Sequence, residues 1–145
     1  LWNGIAVQAP SVEILTHIIS MAMVAFLEEL IFRGLLFNGM RKSGLTAAII
    51  VSSLTFGMGH IVNLLTGAPV FDTLLQLVYA SAIGFCFTAL FLTTGSILLC
   101  IASHAAVNCM SIFAIESGPE GKIITAAVQT VLGTGYGIWL LRREK

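Results

Sequence analysis

The chain has 145 residues, of which 57% are hydrophobic and only 10% are charged, with seven basic and seven acidic side chains. Soluble domains carry about a quarter charged residues, so this composition leaves too little polar surface to face water on all sides. The balanced charge offers no basic patch, and we expect no nucleic-acid partner. We therefore expect the chain to lie in a lipid bilayer.

Five segments approach the length of about 20 mostly apolar residues that a membrane-spanning helix needs. They are predicted at residues 11–38, 45–65, 70–92, 96–115 and 122–141. Short connections rich in Gly, Pro and charged residues separate them, as is typical of helix breakers. The predicted fold class is therefore all-α, a polytopic transmembrane bundle of about five helices. The apolar start at Leu1 lacks the basic residues of a signal peptide, and we expect further helices upstream.

The charges of the connections predict an orientation, because cytoplasmic loops carry an excess of Lys and Arg. One side of the alternating helices holds one acid, Glu144, and the basic residues Arg41, Lys42, Arg142, Arg143 and Lys145. The other side holds one base, Lys122, and the acids Glu13, Asp72, Glu116 and Glu120. We therefore predict an integral, multi-pass membrane protein with the Arg41–Lys42 loop and the C-terminus in the cytoplasm.

Six polar side chains remain inside the predicted spans, where a charged group costs about 2.5–3.5 kcal/mol on insertion scales. They are Glu28, Glu29, Arg33, His60, His104 and Asn108. Glu29 and Arg33 are four residues apart with the acid first, which favours a structural ion pair. Glu28 points about 100° away and has no cation on its own helix. We expect it to share a dry pocket with imidazole and amide groups from two other helices.

Other residues of the spans have simpler predicted roles. Small residues spaced four apart predict close helix contacts at Ala80 and Gly84, Ala102 and Ala106, and Gly133 and Gly137. The glycines on either side of Met58 would let another helix or a substrate backbone approach. Cys86, Cys100 and Cys109 are interpreted as small packing residues, and His17 as an interfacial residue. Asn63, one turn after His60, is a candidate to orient that imidazole.

The polar set suits amide hydrolysis. A buried carboxylate beside an imidazole can hold a water molecule and take a proton from it, and the hydroxide-like water attacks a carbonyl. Asn108 and His104 can donate hydrogen bonds to the oxyanion, each donor lowering the barrier by about 3–4 kcal/mol. No Ser or Cys sits beside a suitable base in a recognised nucleophile elbow, and Ser103, directly before His104, points about 100° away from it. Glu28, His60, His104 and Asn108 are therefore the predicted catalytic residues.

Three motifs resemble those of the CAAX-protease and bacteriocin-processing family, also called the Abi family or type II CAAX prenyl endopeptidase-like proteases. They are Glu-Glu-x-x-x-Arg at 28–33, Phe-x-x-x-His at 56–60 and His-x-x-x-Asn at 104–108. The resemblance spans residues 28–108 and implies an α-helical intramembrane endopeptidase, and we predict that residues 1–145 form a single transmembrane peptidase domain. The resemblance implies further that Glu28 and His60 activate water, that Glu29 pairs with Arg33, and that His104 and Asn108 complete the site and stabilise the oxyanion.

Two alternatives stay open at this point. A zinc peptidase would use Glu28, His60 and His104 as ligands, although no His-Glu-x-x-His helix is present; we expect no cofactor. A non-enzymatic membrane protein, for transport or for immunity to a peptide toxin, would also contain intramembrane Glu and His. For a peptidase the expected partner is a peptide or a membrane-anchored protein, and prenylated tails, bacteriocin leaders and membrane segments are all open as substrates.

Overall fold

The computed structural model describes residues 6–7, 9–115 and 117–143. The chain is 88% helical, without strands in these ranges, which confirms the all-α prediction. The five helices are α1 (Ser11–Met40), α2 (Leu45–Thr66), α3 (Val70–Thr94), α4 (Ile97–Phe113) and α5 (Pro119–Arg143). Four of them are long and apolar enough to cross a membrane, and α4 is a shorter apolar helix than residues 96–115 predicted. Leu1, Glu116, Glu144 and Lys145, which entered the predictions, lie outside the described residues.

Two glycines with left-handed backbone end the helices that precede them. Gly67 follows α2 with φ 87° and Gly95 follows α3 with φ 66°. Glycine adopts this conformation without the steric cost that a Cβ imposes, and it commonly ends helices for that reason. At the start of α4, the Ser96 hydroxyl accepts a hydrogen bond from the Leu99 N–H at 3.3 Å. The predicted breaks between α2, α3 and α4 therefore have identifiable turn and cap chemistry.

The second half of α1 departs from α-helical geometry directly after the two glutamates. Residues Leu30–Phe37 form a π-helix, whose i→i+5 hydrogen bonds make a wider turn. The Ser52 hydroxyl of α2 donates a 3.0 Å hydrogen bond to the Phe32 carbonyl within this segment. Single-turn π segments occur often at functional sites, and hydropathy patterns do not predict them.

The apolar core occupies one end of the bundle. Phe37, Ala48, Phe91 and Cys100 form its buried cluster, drawing on the last turns of α1 and α3 and the first turns of α2 and α4. The Arg41–Lys42 loop joins two of these turns. Helix α5 runs parallel to α3, because its start contacts the start of α3 through Lys122 and Asp72. Its basic C-terminal residues therefore lie at the same end as the Arg41–Lys42 loop, while the cytoplasmic placement of that end stays a prediction.

Small residues allow two of the predicted close helix contacts and not the third. At Gly84 of α3 a Cβ would lie 3.1 Å from the Ser53 carbonyl oxygen of α2, and at Gly133 of α5 it would lie 3.0 Å from the Ala82 backbone. Ala102 and Ala106 are instead exposed, so the prediction of a helix contact there was wrong. Small residues are compatible with lipid as well as with a neighbouring helix, and spacing alone does not distinguish the two.

Candidate active site

A cavity of about 450 Å³ opens among all five helices and is lined by all four predicted catalytic residues. Helix α1 contributes Glu28, α2 contributes His60, and α4 contributes His104 and Asn108. The remaining polar side chains of its wall are Asn63, Gln76, Tyr79, Ser111 and Gln129. The structure thus brings the four predicted catalytic residues to one cavity, with a wall that contains other polar groups.

Behind the cavity, Glu29 and Arg33 form a fully buried ion pair. Arg33 Nη1 donates to Glu29 Oε1 at 2.9 Å, and both side chains are 0% exposed. Arg33 Nη2 donates to the Gly84 carbonyl of α3 at 2.7 Å, and the guanidinium lies 4.5 Å from the centre of the Phe56 ring. Carboxylate, carbonyl and ring face together compensate the desolvated cation. The predicted i,i+4 contact is therefore present, and it also ties α1 to α3.

His104 lies between the two glutamates of α1. Its Nδ1 is 2.9 Å from Glu29 Oε1, and its Nε2 is 3.0 Å from Asn108 Nδ2 and 3.5 Å from Glu28 Oε2. A carboxylate only accepts, so Nδ1 carries a proton that it donates to Glu29. In the neutral ring Nε2 then accepts from the Asn108 amide. His104 can therefore donate from Nε2 to an oxyanion in the cavity only when its ring carries a second proton. The sequence alone does not reveal this condition.

Phe56 connects the two imidazoles that face the cavity. Its ring centre lies 5.6 Å from that of His60 and 5.4 Å from that of His104, both edge-on. On its other side His104 packs against Phe87 at 5.1 Å. His60 Nδ1 is 3.2 Å from the Phe56 carbonyl, a contact in which the ring donates. In the neutral ring His60 Nε2 then carries no proton and can accept a hydrogen bond.

Comparison with known protein families shows which family the chain belongs to. The sequence profile of the type II CAAX prenyl endopeptidase Rce1-like family matches residues 10–110. The chain belongs to this family. No curated protein and no solved structure matches the chain. The match covers α1 to α4, which carry the six predicted site residues, while α5 lies beyond it.

Membership in the Rce1-like family suggests an intramembrane CAAX protease. In this Rce1-like chain Glu28 differs from its neighbour in exposure: its side chain is 30% exposed, whereas that of Glu29 is 0% exposed. The expected dry pocket is therefore an open cavity in which, among the described residues, Glu28 keeps part of its side chain exposed.

Three polar residues of the Rce1-like chain have contacts or positions that the sequence did not predict. Asn63 donates a 2.8 Å hydrogen bond to Gln76 of α3, so the idea that it orients His60 has no contact to support it. Gln76 and Gln129 line the cavity but were missed. Their amide groups within apolar helices were the available signal, since an intramembrane polar group normally faces the bundle interior.

His17 and the cysteines lie apart from this centre. His17 Nε2 is 3.0 Å from the Ser111 hydroxyl in another depression near the start of α1, and Ser111 also lines the cavity of Glu28. Cys86, Cys100 and Cys109 are free thiols, of which Cys100 is buried in the apolar core. None of these residues contacts Glu28 among the described hydrogen bonds and ion pairs.

The zinc alternative named Glu28, His60 and His104 as ligands. Within the described ranges, no three His, Cys, Asp or Glu side chains are grouped so that they could hold a metal ion. Both ring nitrogens of His104 are also occupied, by Glu29 and by Asn108. A histidine ligand offers an unprotonated nitrogen to the metal, and His104 would have to exchange its Asn108 contact to provide one.

Proposed function

We propose that the chain is a glutamate-dependent intramembrane endopeptidase that hydrolyses a peptide bond with water activated by Glu28 and His60. The observation that carries this proposal is the single cavity shared by Glu28, His60, His104 and Asn108. A solvent-accessible carboxylate with imidazole and amide groups around it supplies a base, a group that holds water, and hydrogen-bond donors. Family membership supports the same reaction class.

The first step in this proposal is the deprotonation of water. A water molecule in the cavity donates one proton to Glu28 and its other proton to His60 Nε2 as a hydrogen bond. As the proton moves to Glu28, the oxygen attacks the carbonyl carbon of the scissile bond. The carbonyl oxygen becomes an oxyanion, and the N–H of Asn108 that is not bound to His104 can donate to it.

His104 adds a proton site beside this oxyanion. Its Nε2 is 3.5 Å from Glu28 Oε2, so a proton taken by Glu28 can be shared with the imidazole. Glu29 accepts from Nδ1 and stabilises the resulting imidazolium, as a carboxylate behind a catalytic histidine does in other hydrolases. The charged ring then donates through Nε2 to the oxyanion. When the C–N bond breaks, the oxyanion re-forms the C=O bond of the product acid, and the proton passes from His104 Nε2 through Glu28 to the leaving amine. The carboxylate and the neutral ring are thereby restored.

We propose further that this chemistry needs no metal and that the substrate is a peptide tail of a membrane-anchored protein. The occupied nitrogens of His104 support the first point. The family description, a CAAX prenyl endopeptidase, supports a prenylated tail as the first substrate to test. The bilayer-facing surface of the bundle is consistent with such a substrate, since it remains in the membrane after cleavage.

The experiment is a comparison of membrane proteomes from cells that carry the wild-type chain and cells that carry Glu28→Ala. We expect one or more membrane-anchored peptides to keep their uncleaved tails only in the variant. Treatment with a zinc chelator should leave processing unchanged. Equal processing by wild type and variant would reject the proposed hydrolysis and favour binding without cleavage, whereas loss with the chelator and recovery with zinc would favour a metallopeptidase.

A further inference from the structure

Two hydrogen bonds in series connect the first half of α1 to the proposed oxyanion donor. Ser111 Oγ of α4 donates to the Asn108 carbonyl at 2.7 Å, and the same oxygen is 3.0 Å from His17 Nε2 of α1. A hydroxyl has one proton, and here the carbonyl takes it, so the imidazole is the donor in the second contact. The series therefore begins at the His17 ring, passes through the Ser111 hydroxyl and ends on the backbone of Asn108.

Asn108 lies where α4 loses its regular geometry. The α-helical part ends at Cys109, and Met110–Phe113 continue as a 3-10 turn. The last carbonyls of an α-helix have no intrahelical partner, 3-10 hydrogen bonds have poorer geometry, and helix ends fray. The Ser111 hydroxyl gives the Asn108 carbonyl a side-chain partner, but this bond lies within α4 and does not fix the turn against another helix. The His17 donor supplies that second connection.

Two further contacts place the same parts of α1 and α4 together. Cys109 Sγ is 3.6 Å from the Ile18 carbonyl oxygen, and the Ala6 N–H, just before α1, donates to the Phe113 carbonyl at 3.0 Å. The last turn of α4 therefore lies against the start of α1. Of these three contacts, only the one from His17 continues by a hydrogen bond to the proposed donor residue.

The position of the Asn108 amide decides whether it can serve the oxyanion. Its Nδ2 is 3.0 Å from His104 Nε2, so one N–H is used there and the other can face the substrate. A donor acts at about 2.7–3.1 Å from the developing charge, and a shift of about 0.5 Å is enough to weaken it. His104 is held to α1 through Glu29 at 2.9 Å. The other side of Asn108, toward the end of α4, is the side that His17 holds.

We propose that His17 is a positioning residue of the peptidase, which fixes the last turn of α4 through Ser111 and thereby aims the Asn108 N–H at the oxyanion. This inference rests on the proposed function. His17 touches none of the reacting groups and acts on the reaction only through the two hydrogen bonds. The sequence-based interpretation gave this residue an interfacial place and no part in catalysis.

The test uses the full chain in detergent with a prenylated peptide as substrate. His17→Phe keeps a ring but removes the donor, whereas His17→Gln restores an N–H. The control is Thr16→Val in the same depression, because the Thr16 hydroxyl bonds only to the Glu13 carbonyl of its own helix at 3.0 Å. One hydrogen bond changes an equilibrium about two- to tenfold. We therefore expect His17→Phe to lower kcat about fivefold at unchanged KM, and the other two variants to stay close to the wild type.

A double-variant cycle with Asn108→Ala shows whether His17 acts through the oxyanion donor. Asn108→Ala alone should lower kcat about 10²-fold. In that background His17→Phe should have no further effect, whereas a general loss of structure would multiply the two reductions. Wild-type kcat in His17→Phe, or a fivefold loss that persists without the Asn108 side chain, would overturn the inference. Ser111→Ala breaks the series at its middle and serves as the second variant if His17→Phe does not fold.

Hydrogen exchange separates this inference from the proposed function. If the wild type cleaves the peptide no faster than Glu28→Gln, the proposed function fails, and the positioning contact is then judged without activity. Loss of the His17 donor should speed backbone amide exchange in Met110–Phe113 about fivefold, while Thr16→Val leaves it unchanged. Equal exchange in the wild type and His17→Phe would reject the role of His17 in holding the end of α4.

Discussion

Two carboxylates that are adjacent in the chain have opposite environments. Glu29 is closed off from solvent, paired with Arg33 and bound by His104, whereas Glu28 faces a cavity with 30% of its side chain exposed. The 100° step of the helix separates them into two layers. The buried layer compensates its charges within the protein and ties α1 to α3 and α4, while the Glu28 carboxyl group of the cavity layer stays partly exposed.

An ionisable side chain in a membrane helix can therefore have a structural or a chemical role, and its exposure distinguishes the two. An ion pair that is desolvated on all sides fixes geometry and is costly to break. A carboxylate open to water on one side can exchange protons. A substitution in the cavity layer should therefore lower activity at unchanged stability, whereas one in the buried layer should lower stability, and activity with it where it reaches His104.

The largest effect is expected for Glu28→Gln. Glutamine has nearly the shape of glutamate but cannot take a proton from water, so kcat should fall about 10³-fold, within the range of general-base catalysis. The midpoint of thermal unfolding in detergent should stay close to that of the wild type, because the side chain belongs to the open layer. Cleavage of a prenylated peptide and thermal unfolding of the same sample measure the two quantities; full activity in this variant would remove Glu28 from the mechanism.

The matched substitution in the buried layer, Glu29→Gln, should act mainly on stability. It leaves the Arg33 cation without a charged partner, which costs about 3–5 kcal/mol when a pair is buried. We therefore expect a marked loss of unfolding free energy and of folded protein in membranes. The double variant Glu29→Gln, Arg33→Met removes both charges and should recover part of this loss. A Glu29→Gln protein as stable as the wild type would show that the two layers do not differ as described.

Much of the fold could be predicted because hydropathy and helix breakers determine where spans begin and end. The five predicted segments match the five helices within a few residues at each end. The Glu29–Arg33 contact could also be predicted, since residues four apart lie on one face of a helix. These features depend on local sequence only.

What could not be predicted depends on contacts between helices. The π-helical turn after Glu29 and the bond from His104 to Glu29 bring together residues from α1 and α4 that no spacing rule connects. That bond changes the chemistry, because it fixes the proton on Nδ1 and leaves Nε2 as an acceptor. The exposure of Ala102 and Ala106 could not be predicted for the same reason: a small residue does not specify which helix, if any, packs against it.

The smallest expected effect tests how closely the helices of the two layers must pack. A Cβ at Gly57 would meet the Leu77 carbonyl oxygen at 2.7 Å and the Ser81 backbone nitrogen at 2.7 Å, whereas one at Gly59 would find only the end of the Phe32 ring at 3.8 Å. Backbone atoms cannot rotate away, so Gly57→Ala should destabilise the bundle by about 1–3 kcal/mol through overpacking. Gly59→Ala, two residues later on the same helix, should leave stability unchanged or raise it slightly, because alanine favours helix. Thermal unfolding of the two variants measures this difference.

The same substitution should also lower activity, because Gly57 directly follows Phe56, which contacts both imidazoles, and a displaced α2 would move that ring. Gly59→Ala should leave activity unchanged. Equal unfolding midpoints for the two variants would contradict the close α2–α3 contact on which the cavity wall depends.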